Sequence, residues 1–399
     1  MKKLQTNPPD NWDRSGLPAW TYFNEELFEL ESEELFRSHW QLVCHVNDLP
    51  DQGSFITFDL LGERALIIRD GESKIRAFHN VCRHRGSRVV EKHEGKCSNA
   101  IICPFHGWSF NLDGTLRGAA KSSTLPYLDP NKWGLKPLEM DIWLGFIFIR
   151  FKTGPQPSIS EILATVVDEV SLYRPSNLLP TTPIQSTIEM GANWKAIRDV
   201  DNEGYHVSRA HPSLQDLYGR HYLDEPFING ISRSYGFFNE GQGHLWSIRY
   251  YKKLIKLMEP PYSKLPKAWF YLGIFPNSVL GFYPDSVMFY QDIPLTVNKS
   301  QIRSSIYRHE DETRIMRLAR YLSTRIDEKT FKEDIQLTLW TYEAMKSSAY
   351  DGIILSDLEY GVRSYHDALR KIIPVMCQNE EPLKGTLNKC NMYVQAGMF

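Results

Sequence analysis

The chain is predicted to be α+β, an all-β N-terminal block followed by a larger mixed module. Three observations predict this. Between Gln41 and Phe151, short runs such as Ser54–Asp59, Arg64–Arg69 and Lys74–His79 alternate with Leu-Gly-Glu and Asp-Gly-Glu-Ser turns, the pattern of an antiparallel meander. At Lys152-Thr-Gly-Pro-Gln-Pro-Ser158 the composition shifts to that of a linker. Beyond it come an aromatic, strand-rich stretch over 269–291 and a long helical region over 310–350, charged on one side and apolar on the other.

Size and composition fit this architecture. The 399 residues are enough for two or three domains, and 42% hydrophobic with 24% charged residues suits a globular protein with a full core. The net charge of −2, from 46 basic and 48 acidic side chains, gives no nucleic-acid footprint. Six scattered cysteines (Cys44, Cys82, Cys97, Cys103, Cys377 and Cys390) are too sparse for a disulfide framework. The start has a Lys-Lys pair but no apolar stretch after it, and no run approaches the roughly 20 apolar residues of a membrane span. A cytoplasmic protein is expected.

In chain order, residues 1–38 form a polar lead and an amphipathic helix over 25–40, with Leu27, Phe28, Leu30, Leu35 and Phe36 among glutamates. Residues 39–152 are the β-domain, closed by the strand Gly145–Phe151. The second module, 153–399, opens with helix over 159–173 and a strand then a helix over 187–200. A further strand lies over 304–308, and the tail after Pro374 has no strong periodicity.

Two constellations carry chemistry. The first reads Cys82-Arg-His84-Arg85-Gly86 and, with eighteen residues intervening after His84, Cys103-Pro-Phe-His106-Gly107-Trp108. Each pair offers one thiolate and one imidazole from a short loop. Two thiolates on one iron and two imidazoles on the other make a Rieske [2Fe–2S] ligand set. Zinc also takes two sulfurs and two nitrogens, but its finger motifs usually group Cys with Cys and His with His. The order here alternates.

The second runs from Asn193-Trp194-Lys195 through Asp199, Asp201, Glu203 and Tyr205 to His206 and His211. Two histidines with a carboxylate suggest the facial triad of non-haem Fe(II) oxygenases, which leaves positions open for O₂ and substrate. Residues five apart lie about 140° apart on a regular helix, so His206 and His211 converge only if the helix bulges or ends between them. Pro212 fits an ending helix.

Taken together, these motifs resemble the large (α) subunits of Rieske non-haem iron ring-hydroxylating oxygenases. The Cys-x-His-Arg-Gly and Cys-x-x-His-Gly-Trp loops and the Asn-Trp-Lys … Glu-x-Tyr-His-x4-His segment carry the resemblance. It implies a Rieske β-domain on a helix-grip catalytic domain, an antiparallel sheet covered by helices that hold the iron. It implies Cys82 and Cys103 as ligands of the inner iron, His84 and His106 of the outer one, and His206 and His211 of a mononuclear iron. Asp334 resembles the third ligand, with Glu333 as its adjacent competitor and Asp327 and Asp351 as weaker ones. Glu203 matches a bridging acid that would link His206 to His106 of a neighbouring chain in a homotrimer. Val200 stands near a position where many relatives carry asparagine, a polar group either missing here or supplied by Asn202.

The resemblance also implies a terminal oxygenase fed with NAD(P)H-derived electrons by a separate flavin/iron–sulfur reductase, with or without a ferredoxin. Its substrate would be a small organic molecule, hydroxylated or oxidatively demethylated. Glutamate at the bridge resembles the choline, betaine and carnitine branch, and the Phe270–Tyr290 rings could include a cage for a quaternary ammonium. An aromatic carboxylate attacked by a dioxygenase is the alternative. A Rieske electron-transfer protein without oxygenase activity would leave His206 and His211 unexplained, and a zinc-stabilised binding module would be colourless.

Overall fold

The computed structural model describes residues 8–187 and 189–397. They divide into two compact units, Phe36–Glu161 and a second formed by residues 1–35 with 162–399. The first is the expected β-domain, extended at its C-terminal side. Residues 152–158, read as a linker, belong to it because Arg150 donates to Gln156 O and the Trp40 indole donates to Pro157 O.

This unit holds three small antiparallel sheets. One has the order β1 (Gln41–His45), β10 (Phe146–Arg150), β9 (Glu139–Trp143); a second runs β4 (Ile75–His79), β3 (Glu63–Arg69), β2 (Ser54–Leu60), β5 (Glu94–Lys96). The third, β6 (Ile101–Ile102), β7 (Ser109–Phe110) and β8 (Leu116–Gly118), carries the second Cys/His loop on the turn between β6 and β7. The eighteen-residue spacer is absorbed by β5, which pairs Phe55 with Gly95 at the edge of the second sheet. Both loops rest on one apolar cluster of Phe55, Leu66, Ile68, Phe78, Trp108 and Phe110, into which Cys82 and Cys103 are themselves buried.

The second unit is built on an eight-stranded antiparallel sheet in the order β11 (Leu178–Pro180), β18 (Lys299–His309), β17 (Val287–Thr296), β16 (Ser278–Phe282), β15 (Ala268–Ile274), β14 (Ile231–Phe237), β13 (Tyr222–Asp224). β12 (Gln185–Ser186) also pairs with β18. The helix Trp194–Asp201, capped by the Asn193 side chain, and the 31-residue helix Arg314–Ala344, capped by Thr313, cover it.

The long helix positions the site. Its buried residues Met316, Ala319, Leu322, Ser323 and Ile326 form a stripe at helical spacing, which then stops until Thr338. In that gap Asp327 and Asp334 face a cavity of about 730 Å³, flanked by Phe331 and Ile335, which line it and pack against Met190, Ile197 and Ile302. The N-terminal segment is fixed to this unit by Glu31, which accepts from the buried Lys195 ammonium and the Trp194 indole. Its α-helix ends at Glu31 and continues as a wider π turn, Ser32–Arg37, rather than running on to residue 40. No helix among the described residues is long and apolar enough to cross a membrane.

Candidate metal centres

The two cysteine loops are the same backbone hairpin. In each, the cysteine N–H donates to the carbonyl five residues on (Cys82 to Ser87, 2.7 Å; Cys103 to Trp108, 2.8 Å). The glycine four residues on returns an N–H to the cysteine carbonyl (Gly86, 2.9 Å; Gly107, 3.0 Å). Both glycines sit at positive φ, +75° and +70°, a conformation that only glycine adopts freely. Histidine occupies the third position of one loop and the fourth of the other, which explains the unequal Cys-x-His and Cys-x-x-His spacings.

The four side chains are sorted by kind. Both thiols lie within the apolar cluster, and the backbone N–H groups of His84 and Arg85 point at the Cys82 sulfur. Burial pushes the Cys82 thiol above its usual range, which those amides oppose and the Cys103 thiol reinforces. A metal would remove this cost by binding the thiolate. The imidazoles face outward, His84 lying flat on Trp108 (centroids 5.1 Å, planes 7° apart) and 4.7 Å from the His106 ring. Thiol beside thiol and ring beside ring suits a dinuclear cluster held at two ends. A single tetrahedral zinc would draw all four groups into one shell.

The second centre is assembled from distant sequence. A short helix Val207–Ala210 ends at His211, where φ −117° and ψ 82° break it, and Pro212 starts the next helix, Pro212–Tyr218. The break turns the His211 ring back, and His206 Nε2 and His211 Nε2 come within 3.0 Å. Asp334 on the long helix brings Oδ1 to 2.8 Å from His211 Nε2 and 3.5 Å from His206 Nε2. Among the described residues these are the three that bring metal-ligand atoms within 4.8 Å of one another. Asp327 and Asp351 lie outside this group.

The other ring nitrogens fix the tautomers. His206 Nδ1 contacts Glu203 Oε1, and His211 Nδ1 lies 2.9 Å from Glu333 Oε2. Each Nδ1 proton is then held by a carboxylate, which leaves both neutral Nε2 atoms aimed at each other and at Asp334. Asp334 Oδ1 is buried and has no well-directed hydrogen bond. Such an arrangement is repulsive without a cation at its centre. Where no metal fills that place a proton can: burial opposes charging His206, yet its contacts with Asp334 and Glu203 lift its pKa to about 10. Burial likewise pushes Asp334 up, but the two imidazoles hold it below the usual carboxylate range. Cis ligands about 2.1 Å from one octahedral metal stand about 3.0 Å apart, the separation of the two nitrogens. Two histidines and one carboxylate with a cavity on the open side could hold a non-haem iron.

Glu203 also accepts from the backbone N–H groups of Tyr205 and His206. The turn that makes this possible depends on Gly204, where a Cβ would lie 1.9 Å from the Tyr222 ring. Sequence reasoning placed Glu333 as a rival ligand; here it orients His211. Only its position beside Asp334 could have signalled that. Asn202 lines the cavity with Val200, and its side-chain oxygen accepts from Arg198 at 2.8 Å.

The cavity wall follows a pattern not read in the sequence. Three Phe-Tyr dipeptides, Phe270-Tyr271, Phe282-Tyr283 and Phe289-Tyr290, lie on or at the end of neighbouring strands. Strand alternation sends each tyrosine to the cavity and each phenylalanine into the core. The aromatic stretch is thus both cage and core.

Two family models match the chain, one in each unit. Residues 39–129 match the Rieske [2Fe-2S] domain, and residues 183–374 match the ring hydroxylating alpha subunit (catalytic domain). The glycine betaine monooxygenase oxygenase subunit of Pseudomonas aeruginosa is 35% identical over 198 residues, 50% of this chain. That match spans 45% of the relative, about half its length. The protein of the same name from Chromohalobacter salexigens is 26% identical over 380 residues, covering 88% of this chain and 84% of the relative. A solved quaternary ammonium Rieske monooxygenase shares the fold with a TM-score of 0.76 at 24% identity, over 90% of this chain and 95% of its own. The paired domains imply a Rieske [2Fe–2S] cluster and a mononuclear iron as resident cofactors. The chain belongs to the Rieske non-haem iron oxygenases, as a large (α) subunit of the ring-hydroxylating type.

Proposed function

We propose that this chain is the terminal oxygenase of a Rieske system that hydroxylates or oxidatively demethylates a small quaternary-amine-like compound. The observation that carries this reading is the cavity. It opens on His206, His211 and Asp334 and is walled by Tyr271, Tyr283, Tyr290 and carboxylates, a lining suited to an organic cation. Relatives named for glycine betaine oxidation support the same class.

Each site residue has a role in this reading. Cys82 and Cys103 hold the cluster from inside the core, and His84 and His106 hold it at the surface. His206, His211 and Asp334 hold the mononuclear iron. When bound, the cluster supplies electrons one at a time and the iron activates O₂ at its open positions. Glu203 and Glu333 keep the Nδ1 protons in place, so that both Nε2 atoms stay available. The cavity wall aligns the substrate beside the metal. O₂ reaches the site by diffusion, and NAD(P)H-derived electrons arrive from a separate flavin/iron–sulfur reductase, directly or by way of a ferredoxin, in the cytoplasm. Glu203, beside the exposed Tyr205, would meet His106 of a neighbouring copy in a homotrimer.

The test is a screen of quaternary amines and aromatic acids with a compatible reductase, following NADH consumption and product together. An oxidised or demethylated amine product is expected. Turnover of aromatic acids alone, to cis-diols, would replace this reading with that of a ring dioxygenase.

A further inference from the structure

The charges lining the cavity are unequal. Seven carboxylates line it against three arginines and no lysine. Each arginine is already engaged: Arg198 with Asp201 and Asp292, Arg320 with Glu312, and Arg317, 70% exposed, with Glu312 as well. A substrate carboxylate entering this space would meet no uncommitted cationic side chain among the described residues.

Asp327 is the opposite case. It lines the cavity seven residues before Asp334 on the long helix, two turns away on the same face and about 10 Å along the axis. No arginine, lysine or histidine among the described residues pairs with it. Its hydrogen-bonding neighbours are neutral: the Tyr283 hydroxyl lies 3.1 Å from Oδ1, and the Tyr271 hydroxyl lies 3.0 Å behind that of Tyr283. The charged groups that act on it, Asp285 and Glu328, are of its own sign. Burial pushes the Asp327 carboxyl well above the usual range, and the Tyr283 hydrogen bond only partly offsets it. What the site lacks is a positive charge, and Asp327 lines the same cavity as the His206–His211–Asp334 group.

We infer that this oxygenase acts on a quaternary ammonium compound without a carboxylate, a monocation whose charge is matched by Asp327 against the Tyr271 and Tyr283 rings. This rests on reading the cavity as a quaternary-amine site and narrows that class to exclude zwitterionic betaines. Asp327 acts as a specificity residue. It touches the head group and leaves the reacting carbon to the metal side of the cavity. A bound zwitterion would place its carboxylate in an enclosed space already rich in negative charge, without a partner.

Calorimetric binding to the oxidised full-length protein without reductase separates the possibilities, because no turnover occurs. The probes are choline, its neutral carbon isostere 3,3-dimethylbutan-1-ol, glycine betaine and benzoate. Choline is expected to bind at least tenfold tighter than both the isostere and glycine betaine. Asp327→Asn, which keeps the size and a hydrogen bond to Tyr283, is expected to bring the choline-to-isostere ratio close to one. If glycine betaine binds the wild-type protein as tightly as choline, or if Asp327→Asn keeps the cation preference, the inference is overturned while the quaternary-amine reading stands. If benzoate binds and neither ammonium compound does, both fail. The wild-type comparisons decide the matter even if the variant does not fold.

Discussion

The two metal centres are built by opposite means. The cluster site uses two short hairpins of one design, each contributing its thiol and imidazole within four residues, with the thiols sealed in the core of a small β-unit. The mononuclear site collects His206 and His211 from a broken helix and Asp334 from a helix more than a hundred residues later, across a cavity. One centre is local in sequence and integral to its unit's core. The other is remote in sequence and open on one side to a cavity, since Asp334 sits where the buried stripe of the long helix stops.

That contrast predicts unequal damage. Cys103→Ser should cost both the cluster and the fold of its unit, because metal binding there is coupled to core formation. Asp334→Ala should reduce product to background while leaving the cluster spectrum and the melting temperature nearly unchanged. Thermal melts with visible absorption on both variants check this. Equal destabilisation by the two substitutions would break the comparison.

A smaller effect is expected around the second centre alone. Glu333→Gln removes the charge that holds the His211 Nδ1 proton. Orienting carboxylates of this kind are worth about 10–100-fold in metal affinity. Chelator competition for iron should show that loss with the cluster absorption unchanged; unaltered iron retention would mean that His211 is oriented by packing alone.

The smallest expected effect tests the likeness of the two hairpins. Gly86 has no atom within 4 Å of an added Cβ, and Gly107 has only the Ala120 methyl at 3.9 Å. Gly86→Ala and Gly107→Ala should therefore each cost about 1 kcal/mol of backbone strain, with no steric part. Matching shifts of a few degrees in melting temperature are expected. Clearly unequal shifts would show that the loops are not equivalent.

The same contrast explains what could be read in advance. Cys82, His84, Cys103 and His106 were legible because short loops print their geometry as spacing. His206 and His211 were legible as a pair whose convergence needed a helix break, which Pro212 marked. Asp334 needed the family resemblance, because nothing local separates it from Glu333 beside it, whose carboxylate lies against His211 Nδ1 instead. In the fold, the meander and the long helix showed their periods, whereas β14 did not. Its Ile-Ser-Arg-Ser-Tyr-Gly-Phe run is mostly polar and half-buried along the strand. The helix Trp246–Lys256 went unread although Ile248, Tyr251 and Ile255 keep a helical spacing. The three Phe-Tyr dipeptides were visible only as aromatic content, since which ring meets the cavity depends on strand register.

The central claim is that one chain carries two chemically distinct iron centres. Iron and acid-labile sulfide analysis of the purified wild-type protein, with EPR before and after reduction, tests it most directly. About three irons and two labile sulfides per chain are expected, with a Rieske-type signal on reduction. A colourless protein containing zinc and no labile sulfide would contradict it.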